Sequence, residues 1–134
     1  MATDSERAAK LLMEHWRAGR VMAELPPELK PRTRPEGYAA QAAWERESQK
    51  PLFGWKIAAT SVDGQRHIGV DGPLAGRLLA ERVAADGATL PVATNRMRVA
   101  EAEFAFRTGR DLAPRATPYT VDDVLAAVAA LHIG

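Results

Sequence analysis

Apolar residues recur at helical spacing near the start of the chain. Ala8, Leu11, Leu12 and His15 or Trp16 fall on one stripe, which predicts a first helix. Asp4 or Ser5 is its expected N-cap, because a short oxygen side chain accepts from free backbone N–H groups. Gly19 marks its expected stop. Leu25-Pro26-Pro27 and Lys30-Pro31 predict an extended linker, since proline lacks an N–H and disfavours helix in the residue before it. Thr33-Arg34-Pro35-Glu36 then reads as a capping box with proline in the first turn. The helix it opens runs through Tyr38, Gln41, Ala42 and Trp44 to about Glu47, and Pro51 closes the region.

The pattern changes after Pro51. Gly54 to Ser61 predicts a short strand, with turns at Asp63-Gly64 and at Gly69-Val70-Asp71-Gly72-Pro73. Leu74 to Val83 is mixed, fitting a helical turn or a strand. Val99 to Arg107 gives the clearest period-two pattern and predicts a strand with Phe104 and Phe106 buried on one face. Thr120-Val121-Asp122-Asp123 is a second capping box. Val124, Leu125, Val128 and Leu131 would give the last helix its apolar face. The elements predict an α+β fold, with a helical segment over residues 1–50 and a second region over residues 51–134. No internal repeat is visible.

Composition narrows the function classes. Eighteen Lys and Arg against seventeen Asp and Glu leave a formal net charge of +1. That balance lacks the basic excess that nucleic acid or an acidic membrane would require. With no cysteine, disulfides, thiolate metal sites and a cysteine nucleophile are excluded. The first residues do not resemble a secretory signal, and no apolar run approaches the ~20 residues that span a bilayer. The cytosol is the expected location.

Two constellations could carry chemistry. In the Val99–Phe106 run, Val99, Glu101, Glu103 and Ala105 share one strand face, which sets the two carboxylates roughly 7 Å apart at Cα. That spacing suits one hard divalent cation such as Mg²⁺ or Mn²⁺, and equally suits a solvated strand face. Lys56 follows Gly54-Trp55 on a strand whose other face carries Trp55, Ile57 and Ala59. It fits a general acid/base or a carboxylate anchor, and also a solvent-facing strand lysine. Asp71 before Gly72 is ordinary turn chemistry. His15, His67 and His132 show no metal-ligand spacing, and no phosphate-binding or nucleophile-elbow motif occurs.

Taken in order, several motifs resemble one family. They are Gly54-Trp55-Lys56-Ile57-Ala58-Ala59-Thr60-Ser61, Gly69-Val70-Asp71-Gly72-Pro73-Leu74-Ala75-Gly76, Glu101-Ala102-Glu103-Phe104-Ala105-Phe106, Asp111-Leu112 and Tyr119-Thr120-Val121-Asp122-Asp123-Val124. Together they resemble the 2-keto-4-pentenoate hydratases and their sibling 4-oxalocrotonate decarboxylase, within the fumarylacetoacetate hydrolase superfamily. The resemblance covers residues 33–134 well and the first helix loosely.

The resemblance implies more than spacing does. The fold implied is N-terminal helices followed by an incomplete part of a mixed β roll. The activity implied is metal-dependent hydration of a short 2-hydroxy-dienoate in aromatic-compound catabolism, with decarboxylation on the same metal-stabilised enolate as the sibling reaction. A non-catalytic subunit or fragment acting by association is the reading from another class. Glu101 and Glu103 inherit the Mg²⁺ or Mn²⁺ ligand role, Lys56 the catalytic role, and Ser61 and Asp71 substrate binding. The sequence departs from the pattern at Leu74, where some hydratases carry an acidic residue. Family members are commonly about twice this length, and their third metal carboxylate follows the helix expected here to end at Leu131. The chain is thus expected to match an N-terminal half, and to work as a homo-oligomer or with a complementing chain.

Overall fold

Thr3, one residue ahead of the expected caps, starts the first helix. Its hydroxyl accepts from the Glu6 N–H while the Glu6 carboxylate accepts from the Thr3 N–H at 2.8 Å. The structure, a computed structural model, describes residues 1–93, 95 and 97–134. Helix α1 spans Asp4–Arg17. It ends in a reciprocal pair of backbone bonds, Gly19 N–H to Trp16 C=O at 3.0 Å and Arg20 N–H to His15 C=O at 2.8 Å, with Gly19 at φ +61°. Only glycine takes that left-handed position cheaply, so Gly19 fixes where the helix stops.

The proline-rich stretch holds one 3₁₀ turn, Pro27–Leu29, where an extended linker is predicted. Helix α2, Arg34–Glu47, starts as expected. Thr33 caps the Glu36 N–H, and the Glu36 carboxylate takes the N–H of Arg32 at 2.6 Å. Strand β1, Leu52–Ala58, pairs antiparallel with β2, Leu74–Leu79, so the mixed segment resolves as a strand followed by a 3₁₀ turn at Ala80–Arg82. Between them lies α3, Val62–Ile68, where the Asp63-Gly64 turn is predicted. Ser61 caps this helix and Gly69, at φ +71°, ends it, so local caps override the Asp-Gly turn signal.

The last part contains β3, Phe104–Thr108, helix α4, Val121–Leu125, and β4, Val128–Ile133. The Thr120 capping box forms as predicted. The helix, however, ends six residues before Leu131. Val128 to Ile133 pairs with β3 instead, because the ladder supplies backbone partners that a longer helix would have supplied locally.

The chain is α+β, with two two-stranded antiparallel sheets among the described residues. It divides into two units, Met1–Arg96 and Met97–Gly134. In the first, α1 packs on α2 and α2 on β2. Its buried side chains are Ala8, Ala9, Met13, Leu29, Ala43 and Leu79, and the three alanines allow close approach of the helices. In the second, Ala127 is the buried apolar residue. Phe104 and Phe106 are 72% and 62% exposed, against the predicted burial, because so small a unit has no layer to lay over that face of its hairpin. Among the described residues, no helix is long and apolar enough to cross a membrane.

Candidate active site

Lys56 sits in the middle of β1, directly opposite Gly76 of β2. As a glycine, Gly76 places no side chain opposite the lysine. Its neighbours Trp55 and Ile57 lie on the other face. There the Arg77 guanidinium stacks over the Trp55 ring at 4.8 Å, and Arg77 Nε donates to Glu45 at 2.6 Å.

Helix α2 holds this hairpin in place. Arg34, Tyr38, Gln41 and Glu45 are spaced four, three and four apart, on one helix face. The Tyr38 hydroxyl accepts from the Ala75 N–H at 3.2 Å, and Gln41 Oε1 accepts from the Arg77 N–H at 3.1 Å. These are the outward N–H groups of β2, so side chains of a helix occupy what would be an open sheet edge. With Ala75 and Arg77 facing outward, the alternation of an antiparallel ladder turns Gly76 inward to Lys56. The helix thereby fixes the register at the lysine.

Ser61 and Asp71 flank the same hairpin in sequence. Ser61 Oγ accepts from the Gly64 N–H at 3.0 Å as the cap of α3, which leaves its O–H as a donor. Two residues earlier, Ala59 takes a left-handed φ of +56°. Its carbonyl accepts from Gln65 Nε2 at 3.0 Å. A Cβ on Gly64 would stand 3.2 Å from Ser61 Oγ and 3.5 Å from the Ala59 Cα, so the β1–α3 turn is tightly closed. Asp71 is an exposed carboxylate that accepts from the Arg34 guanidinium. That bond, and then the positive charge, holds the Asp71 carboxyl below the usual aspartate range.

Glu101 and Glu103 belong to the second unit. Strand β3 starts later than predicted, at Phe104, but the ladder has one further rung. The Glu103 N–H donates to the Gly134 C=O at 2.8 Å, and the Gly134 N–H donates back at 3.0 Å. Glu103 then shares a face with Ala105, Arg107 and His132, opposite the face of Phe104, Phe106, Leu131 and Ile133. Glu101 lies two residues ahead of that rung, and both glutamates are exposed. Among the described residues, no group of three or more His, Asp or Glu side chains is placed to hold a metal ion. The pair offers oxygen donors only, the set a hard dication prefers, though fewer than such an ion takes.

Proteins of known name share this sequence pattern. The chain is 34% identical over 133 aligned positions to 2-keto-4-pentenoate hydratase 1 of Dechloromonas aromatica (strain RCB), covering 90% of this chain and 50% of that protein. It is 36% identical over 111 positions to 2-keto-4-pentenoate hydratase 2 of the same organism, covering 80% of this chain and 42% of that one. Over these positions the chain is similar to the 2-keto-4-pentenoate hydratases. It spans about half the length of the curated hydratases it matches. No family model matches it, and no solved structure does.

Set beside the hydratase motifs, the structure gives roles to residues that the sequence places without one. Arg34 is the partner of Asp71, and Tyr38, Gln41 and Glu45 are the clamp on β2. Their signal is a polar stripe at helical spacing, but the sequence alone does not say which strand edge the stripe meets. Ala59 carried no signal, since alanine is an unremarkable choice by composition and an unusual one only by its φ.

Proposed function

We propose that this chain carries the lysine and glutamate side chains of a metal-dependent hydratase. The substrate is a short 2-hydroxy-dienoate of the 2-oxopent-4-enoate type. The support is one observation: similarity along 80–90% of the chain to two proteins named as 2-keto-4-pentenoate hydratases. In this reading the elements are the first part of a mixed β roll of the fumarylacetoacetate hydrolase type. The rest of the pocket comes from additional polypeptide, a second copy or a complementing chain. The protein works in the cytoplasm.

Glu101 and Glu103 would hold Mg²⁺ or Mn²⁺, which when bound supplies a Lewis acid against the negative charge of the substrate's enolate form. Lys56 moves the proton between carbon and oxygen of the conjugated system, or anchors the substrate carboxylate. The Ser61 O–H donates to that carboxylate. Asp71, kept ionised by Arg34, accepts from a hydroxyl group. With the enol proton moved to the terminal carbon, the substrate is an enone conjugated with the 2-oxo group; water adds its hydroxyl at the far carbon of that enone and its proton to the carbon next to the 2-oxo group.

Loss of the diene's ultraviolet absorbance tests this, with Mn²⁺ and with the remaining hydratase sequence supplied in trans or by fusion. The complemented protein should turn over substrate. Lys56→Ala should lower its rate by about 100-fold or more while its folding stays intact, in line with the usual contribution of a positioned acid or base. A complemented protein with an unchanged rate after Lys56→Ala would remove the lysine from the mechanism.

A further inference from the structure

We infer that the first unit carries a separate ligand site, for a flat apolar molecule bearing one carboxylate, in a cleft at the C-terminal end of α1. The cleft has a volume of about 330 Å³ and is walled by the indoles of Trp16 and Trp44 together with Leu12. That volume lies in the ordinary range for small-molecule sites. Arg20 and Arg82 line it as well, whereas Lys56, Ser61 and Asp71 do not.

The charges set this cleft apart. Arg7, Arg34, Arg46, Arg66 and Arg77 of this unit each have a carboxylate partner. Arg17, Arg20, Arg32 and Arg82 have none among the described residues, and of these four Arg20 and Arg82 line the cleft. Arg82 is instead held with its guanidinium over the Trp16 ring, 4.9 Å from the centroid. Stacking uses the face of the guanidinium and leaves its N–H donors at the rim, which is the geometry that receives a carboxylate. Arg20 is brought to the same cleft by the left-handed turn at Gly19, and its own N–H is spent on the His15 carbonyl. Two aromatic walls and two cations without an ion-pair partner favour an anion with a planar apolar body over a bare oxyanion.

Benzoate, benzamide and inorganic phosphate added to the intact 134-residue chain test the assignment, read from its three indole N–H signals by nuclear magnetic resonance. Benzoate should shift Trp16 and Trp44 saturably and leave Trp55 in place. Benzamide, the same shape without charge, should bind about tenfold more weakly, as should benzoate to Arg20→Gln and to Arg82→Gln. Arg20→Gln alters a side chain at the cleft rim that makes no packing contact of the Arg82 kind, so it remains informative if Arg82→Gln disturbs Trp16. Equal affinity for benzoate and benzamide, phosphate binding as tight as benzoate, shifts centred on Trp55, or no saturable shift would each overturn the site.

Discussion

Asp71 and Arg34 stand 37 positions apart in sequence, and their ion pair ties the turn before β2 to the first turn of α2. The pair is open to solvent, so its contribution is screened and modest. Its sign with pH is nonetheless fixed. The folded Asp71 pKa lies below the unfolded one, so the stabilisation is present above the unfolded value, near 3.9, and fades as pH falls through the folded value. Chemical denaturation should show Arg34→Ala less stable than the parent at pH 7, with the gap closing below about pH 4. A gap of equal size at both pH values would show that Arg34 acts through packing alone.

The clamp on the outer edge of β2 should be measurable one bond at a time. Tyr38→Phe removes the acceptor for the Ala75 N–H and keeps the ring, so it should cost about 1 kcal/mol in urea melts. Gln41→Ala should cost a similar amount through the Arg77 N–H. Because both bonds brace one strand edge, the double variant should depart from the sum of the singles. Strict additivity would mean that the two bonds act independently.

Ala59 is the place where a smaller residue should help. An L-residue in the left-handed region costs roughly 1–2 kcal/mol, and the added chain entropy of glycine returns only part of that. Ala59→Gly should therefore raise stability by about 0.5–1 kcal/mol. Gly69→Ala, at φ +71° with open space around its Cβ, should lower it by a comparable amount. Paired thermal melts decide the matter. A destabilised Ala59→Gly would show that the left-handed turn is not strained.

Metal affinity should separate from folding at Glu103. The rung to Gly134 is made by backbone atoms, so Glu103→Gln should leave the β3–β4 hairpin intact by circular dichroism. Mn²⁺ titration calorimetry of the isolated chain should show weak binding that falls further in Glu101→Gln and in Glu103→Gln, since two carboxylates leave the ion largely hydrated. Unchanged Mn²⁺ binding in both variants would place the ion elsewhere.

How much of this was legible depended on whether the signal was local. The Thr33 and Thr120 caps need only four consecutive residues; the Thr120 box forms in full, while at Thr33 the hydroxyl caps Glu36 N–H and the Glu36 carboxylate reaches back to Arg32 N–H instead. Ser61 also caps locally, but the Asp63-Gly64 pair after it gave an equally local turn signal, and the sequence alone did not rank the two. Val128 to Ile133 fits either helical or alternating spacing. Its partners on β3 lie 20 to 29 positions away, and only that pairing decides in favour of a strand. The E-x-E spacing was plain, whereas the rung that pins Glu103 depends on the last residue of the chain. The clamp of α2 on β2 required knowing which N–H groups of a strand face outward, and this follows from register.

The second hairpin has one greasy side, with Phe104 and Phe106 beside Ile133 and Leu131, and one polar side. Such a surface is expected to take up an apolar fluorescent dye in the native state. Bright dye fluorescence from this protein therefore does not report a loosened interior. Screens that score quality by dye uptake, or follow melting by a rise from a dark baseline, would grade the folded chain as damaged. Near-ultraviolet circular dichroism of Trp16 and Trp44 in the packed first unit is the measurement that distinguishes folded from collapsed material.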